Sequence, residues 1–296
     1  VPVSDLRLIV PLLVLLSAGP ASAHTAHDAG WTADPLVLLA MAAAGSAYTL
    51  GLLRLWRRAG PGRGLHGLRV TLFALGYLLA GGLLLSPLDT WAERLLSAHM
   101  IQHFGLMLVA APLMVLGRPG LAFLWAVPAS RRAALGRLAG GAAGRAWRAA
   151  THPLGAWMIY LVALWIWHMP ALHQWALRSD AVHAAQHASF LGAALLLWTA
   201  VLERPRAEGR AGAFFAVFAT AVHSCALAAL LTTARTLWYP AYAAGAGGWG
   251  LTPLQDQQLG GLIMWVPCCA ILLGAAVAVF AGLLRDAELR AERFPP

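Results

Sequence analysis

The sequence predicts an all-α, polytopic membrane protein: a seven-transmembrane-helix bundle with its N-terminus outside and its C-terminus in the cytoplasm. Three observations lead there. Apolar residues make up 60% of the 296-residue chain and charged residues only 11%, against roughly 45–50% and about 25% in soluble domains. The apolar residues gather into seven runs, each near the ~20 residues that cross a hydrocarbon core. Arginine, which supplies all the basic charge because lysine is absent, is concentrated in alternate connections.

The runs are taken in order. The first is roughly Pro35 to Leu53, the second Leu68 to Leu85 and the third Ser97 to Leu116. The fourth, Leu154 to His168, is the shortest and is expected to extend back into residues 146–151. The fifth is Ala184 to Leu202, the sixth Ala211 to Leu231 and the seventh Leu259 to Leu284. Between runs one and two lie Arg54, Arg57, Arg58, Arg63 and Arg69; between three and four lie Arg118, Arg131, Arg132, Arg137, Arg145 and Arg148. Arg204, Arg206 and Arg210 separate five from six, and Arg285, Arg290 and Arg293 follow seven. The alternate connections hold only Arg94, Arg178 and Arg235. Positive charge collects on the cytoplasmic side, which fixes the orientation and accounts for the net charge of +9 without nucleic acid as a partner. The connection between runs three and four, with Trp125 and Trp147, is expected to lie partly as an interfacial helix on the anionic inner leaflet.

Residues 1–23 read as a cleaved secretory signal, with Arg7 as the charged region, Leu8 to Leu16 as the apolar region and Ala21-Ser22-Ala23 as the small-residue site; an uncleaved first helix is the alternative. The domain plan is then residues 24–34 as an outer segment, 35–284 as the membrane domain and 285–296 as a cytoplasmic tail. Three cysteines make no disulfide framework, and Cys225, Cys268 and Cys269 are expected in the core.

Nine of the eleven histidines fall outside or within the spans; only His66 and His152 belong to the cytoplasmic side. His99/His103 and His183/His187 are i, i+4 pairs, which place two imidazoles on one helix face about 6 Å apart, as two ligands to one ion would stand. His168 ends run four, and His223 lies midway through run six. These six are the candidate metal ligands. Buried ionisable residues at membrane depth are costly and functional by default. His173, in a loop, is expected to face water. Met100, Met107 and Met169 are auxiliary candidates, since thioether with imidazole suits copper and favours Cu(I), although packing explains Met100 and Met107 individually. Asp89 either caps the turn into Trp91 or orients a ligand imidazole, and Asp256, an acid at the N-terminus of its helix, either caps that helix and complements its dipole or serves the site. Gln102 and Gln186 are candidate donors to ligating histidines. Cleavage after Ala23 would add His24 and His27 as a separate copper-chelating terminus.

Ser97-Ala98-His99-Met100-Ile101-Gln102-His103, with Pro112 and Gly117-Arg118-Pro119, resembles the third helix of the CtaG family, the seven-helix assembly factors of caa-type cytochrome c oxidase. Trp167-His168-Met169-Pro170 with His183 and Gln186-His187 is similar to its next histidine block. Trp238-Tyr239 and Asp256-Gln257-Gln258-Leu259-Gly260-Gly261, with Met264-Trp265 and Pro267, resemble its C-terminal signature. Gln186 stands where the family usually has an acid. The resemblance implies a non-enzymatic factor of the bacterial cytoplasmic membrane that binds copper and hands it to an oxidase subunit, with oxidase subunits or copper chaperones as partners besides lipid. A haem-binding membrane redox protein and a copper permease are the alternatives. No H-E-x-x-H, P-loop or G-x-S-x-G motif occurs.

Overall fold

The computed structural model describes residues 30–32, 34–203 and 207–293. The signal segment, His24 and His27 lie outside the described residues. Every described element is helical. Six helices are long and apolar enough to cross a membrane: α1 (Pro35–Ala59), α2 (Gly67–Leu85), α4 (Leu96–Leu116), α10 (Asp180–Leu202), α11 (Ala207–Thr232) and α12 (Pro253–Arg293). A short helix, α3 (Pro87–Ala92), joins α2 to α4. Between α4 and α10 lie α5 (Pro119–Ala126), α6 (Ala129–Gly140), α7 (Ala142–Ala150), α8 (Pro153–Trp167) and α9 (Pro170–Ala176).

Taken as one bent span, α7 and α8 supply the seventh crossing, with a 74° turn between them. The backward extension expected for run four is therefore helical but not collinear. Pro153 forces its predecessor away from helical dihedrals, and His152 stands at φ −68°, ψ 140°. The connection where an interfacial helix is expected holds short helices, α5 to α7, with Arg145 and Arg148 on α7 around a buried Trp147.

Local chemistry sets the ends. Asp34 accepts from Leu36 N at 2.7 Å and Val37 N at 3.2 Å, and Pro35 opens α1 where its missing N–H costs nothing. At the other end Gly60 takes φ +96°, a conformation that a side chain disfavours, and its N–H returns to Trp56 O at 2.9 Å. Thr252 and Gln255 form a reciprocal capping box at the start of α12, Gln255 Oε1 accepting from Thr252 N at 2.8 Å and Thr252 Oγ1 from Gln255 N at 3.2 Å.

The helices with the paired histidines are the innermost. Within their most apolar stretches α4 and α10 are 61% buried, against 17% for α1 and 22% for α12. The exposed faces of the outer helices carry Leu38, Leu39, Leu78, Phe218, Val266 and Val277, which only lipid accommodates on this scale. Cys268 is fully buried among the core residues, as expected. Cys225 and Cys269 are instead disulfide-paired between α11 and α12.

Residues 105–110 of α4 wind as a π-helix. Pro112 lacks the N–H that would bond Leu108 O, and its ring crowds that carbonyl; the wider turn relieves this. Ala111 N then bonds Leu106 O rather than Met107 O, and the freed Met107 carbonyl accepts from the Trp198 indole at 2.9 Å.

Candidate metal centre

The first turns of α4 and α10 face each other, and between them two i, i+4 pairs meet. Ring centroids are 4.1 Å apart for His99 and His103 and 4.4 Å for His183 and His187. Across the helices, His103 lies 4.8 Å from His187 and His99 lies 5.7 Å from His183. Donor nitrogens of His99, His103 and His183 all fall within 4.8 Å of one another. His99 and His103 are buried; both nitrogens of His99 and Nε2 of His103 have no hydrogen-bond partner among the described residues. Buried polar atoms are normally paired, and imidazole nitrogens left bare at this density could hold a metal ion.

His173 corrects the sequence reading. It does not face water: it is 1% exposed, and its ring stands 4.8 Å from His99 and 6.5 Å from His168. Burial, reinforced by His168 and His183, pushes its pKa down to about 3, so it stays neutral at any physiological pH. Its Nε2 meets the Tyr242 hydroxyl at 3.0 Å. The available signal was a second histidine five residues after His168, on a Pro-initiated turn.

His168 donates from Nδ1 to Leu164 O at 2.7 Å. A carbonyl only accepts, so the proton is on Nδ1 and the lone pair on Nε2, which is buried and unpartnered. His223 stands apart from this group; its ring neighbour is Tyr160, at 6.1 Å. Met169 is 57% exposed, while Met100 and Met107 pack in the hydrophobic core. Met107 keeps the fourth-residue spacing from His103 but is buried among the core side chains.

The supports come from distant segments. Gln102 Nε2 donates to Leu83 O at 2.9 Å and to Asp89 Oδ1 at 2.7 Å. Two acceptors on that side orient the amide, so Oε1 must accept from His187 Nε2, 3.1 Å away. The proton of His187 is thereby held on Nε2 and its lone pair on Nδ1, the arrangement by which outer partners orient metal-binding histidines. Asp89 thus orients an imidazole through Gln102, while Ser86 caps α3, accepting from Leu88 N at 3.3 Å. Gln186 is buried with Oε1 unpartnered. Replacing Gln102 by leucine is expected to weaken metal binding by roughly 10–100-fold, the usual cost of losing such a partner, as read by competition with a chromogenic chelator; an unchanged affinity would remove Gln102 from the site.

Asp256 caps α4, not its own helix. It accepts from Leu96 N at 2.7 Å and Ser97 N at 3.2 Å, and from the Ser97 hydroxyl. The next residues tether the connection between α11 and α12. Gln257 accepts from Trp238 N at 2.6 Å and donates to Thr236 O at 3.1 Å, and Gln258 donates to Ala234 O at 3.0 Å. So held, Tyr239 donates to His168 O at 2.7 Å and packs on His173 at 4.5 Å.

The family model for cytochrome c oxidase caa3 assembly factors, Caa3_CtaG, matches residues 46–286. The chain belongs to this family. No curated protein and no solved structure matches it. The Caa3_CtaG match takes in the histidine-bearing helices, the Asp256–Gln258 tether and the Arg-rich helices α5 to α7 alike, so the histidine cluster belongs to the body of an oxidase assembly factor.

Proposed function

We propose that this Caa3_CtaG protein binds copper at the imidazole cluster, near the outer face of the bacterial cytoplasmic membrane, and delivers it to an oxidase subunit. The observation that carries this reading is the convergence of His99, His103 and His183 donor atoms within 4.8 Å, with His168, His173 and His187 around them. Metal–nitrogen bonds of ~2.0–2.1 Å require only modest closure of such a set. Neutral imidazoles suit zinc, copper, iron and nickel, and copper(II) stands highest in divalent affinity. Thioether ligation, which would favour Cu(I), is not part of this reading: Met100 and Met107 pack in the hydrophobic core and Met169 is exposed. A haem between the helices would have to part rings 4.8 Å apart, so packing favours a small ion. The orientation with this end outside rests on arginine placement.

Elemental analysis with a visible spectrum of detergent-purified protein tests the binding. About one copper per chain without a Soret band is expected; a Soret band, or zinc in place of copper, overturns it. Delivery is tested in cells lacking the chain, whose oxidase is expected to be copper-poor. Normal oxidase copper would overturn delivery while leaving binding intact.

A further inference from the structure

The end of α1 opposite the histidines forms a different kind of site. Its last turns present Arg54, Arg57 and Arg58 to Arg132 and Trp125 across an open cleft of about 420 Å³. Four guanidiniums line this cleft and no carboxylate does. Two are anchored. Arg54 donates to Ala126 O; Arg132 donates from Nε to Val127 O at 3.0 Å and from Nη2 to Trp125 O at 3.2 Å, its guanidinium carbon 4.4 Å above the Trp125 ring. Arg57 and Arg58 are exposed and have neither ion pair nor hydrogen bond among the described residues. Gly51 makes the arrangement possible: a Cβ there would lie 1.8 Å from Ala122 O, so only glycine lets α1 and α5 approach closely enough for Arg54 to reach Ala126. Four like charges held around one cleft repel one another, and a bound anion relieves that repulsion.

A second cavity, about 540 Å³, lies along the same helix within the span, lined by Ser46, Thr49, Leu50, Leu53 and Tyr77 among others. Ser46, Leu50, Leu53 and Arg57 follow one another at spacings of four, three and four, which is a single stripe on a helix. The mainly apolar groove therefore leads into the arginine cleft within one turn. A groove at acyl-chain depth that ends in a cluster of guanidiniums has the form of a phospholipid.

We propose that α1, α2, α5 and α6 together bind one anionic phospholipid, with its phosphate among Arg54, Arg57, Arg58 and Arg132 and one acyl chain along the stripe from Ser46 to Leu53. This site is separate from the imidazole cluster and independent of the metal reading.

The test is native mass spectrometry of the full-length, delipidated protein in neutral detergent, titrated with phosphatidylglycerol, with phosphatidylcholine of the same chains, and with inorganic phosphate. Phosphatidylglycerol is expected to add saturably as one lipid per chain and to outlast phosphatidylcholine. Because each arginine near an anionic headgroup adds to the attraction, Arg57→Gln with Arg58→Gln is expected to weaken it by roughly tenfold or more. Both residues are exposed, so the fold should survive. Arg63→Gln, in the turn beyond the cleft, serves as the control and should change little. Ser46→Trp, filling the groove, should weaken the lipid but not phosphate. Equal retention of the two lipids, equal losses in the Arg63→Gln and double variants, or unchanged affinity in the double variant would each overturn the proposal. Displacement of the lipid by millimolar inorganic phosphate would overturn the acyl-chain half by showing a phosphate site alone.

Discussion

Replacing His99 and His103 together by alanine is expected to reduce copper bound per chain to background and to lower oxidase assembly to the level seen without the protein. Losing one outer-shell partner costs 10–100-fold in affinity, and removing two direct ligands exceeds that. Both rings are buried and 4.1 Å apart, so the double truncation also leaves a cavity, which costs stability in its own right. The glutamine pair, His99→Gln with His103→Gln, restores most of the volume without the imidazoles and separates the two effects. It should fold like the parent, by size-exclusion profile and thermal midpoint in detergent, and still lack copper. His66→Ala with His152→Ala removes two imidazoles at the N-caps of α2 and α8 and should leave copper unchanged. Full copper in the glutamine pair would eliminate this cluster as the site.

The second large effect is expected on stability. Asp256→Ala removes the acceptor of two buried N–H groups and one hydroxyl at the start of α4. A buried donor left unsatisfied costs ~1–3 kcal/mol, so the loss should be about 3 kcal/mol or more, a sizeable part of the 5–15 kcal/mol that folded proteins typically hold. A marked fall in thermal midpoint in detergent is expected. Metal affinity should fall with it, because His99 stands on the turn that Asp256 fixes. The milder substitution Asp256→Asn keeps one acceptor oxygen and should recover part of both losses. A wild-type midpoint for Asp256→Ala would show that α4 is fixed by its packing alone.

What could be read from the residues was what depends on local period. Apolar runs of span length give six of the crossings within a few residues at most ends, and the i, i+4 spacing puts each histidine pair on one face. What escaped depends on contacts distant in sequence or on a broken period. His173 is buried by Tyr239 and Tyr242, some seventy residues on, and nothing beside it in the sequence reveals that cover. Asp256 has the local context of a helix N-terminus, so its service to a helix 160 residues earlier has no local sign. Met107 has the spacing of a ligand, yet it packs among core side chains contributed by distant helices. Run four has the composition of a continued helix, yet Pro153 turns it through 74°. The Gln102 amide was legible as a donor, but its use as an acceptor for His187 follows only from the two acceptors on its other side.

The short α8 has a consequence for the surrounding membrane. Its 15 residues rise only about 22 Å, whereas a hydrocarbon core is about 30 Å thick. By contrast α12 runs for 41 residues, far more than a crossing needs. The apolar girdle is therefore uneven in height around the bundle. Beside α8 the bilayer must thin or the polar chain ends must reach inward, each at a fraction of a kcal/mol per Å. At one end of α8 the chain turns through 74° into α7, which carries the exposed Arg145. The mismatch cost on this side is therefore smaller in a thinner bilayer.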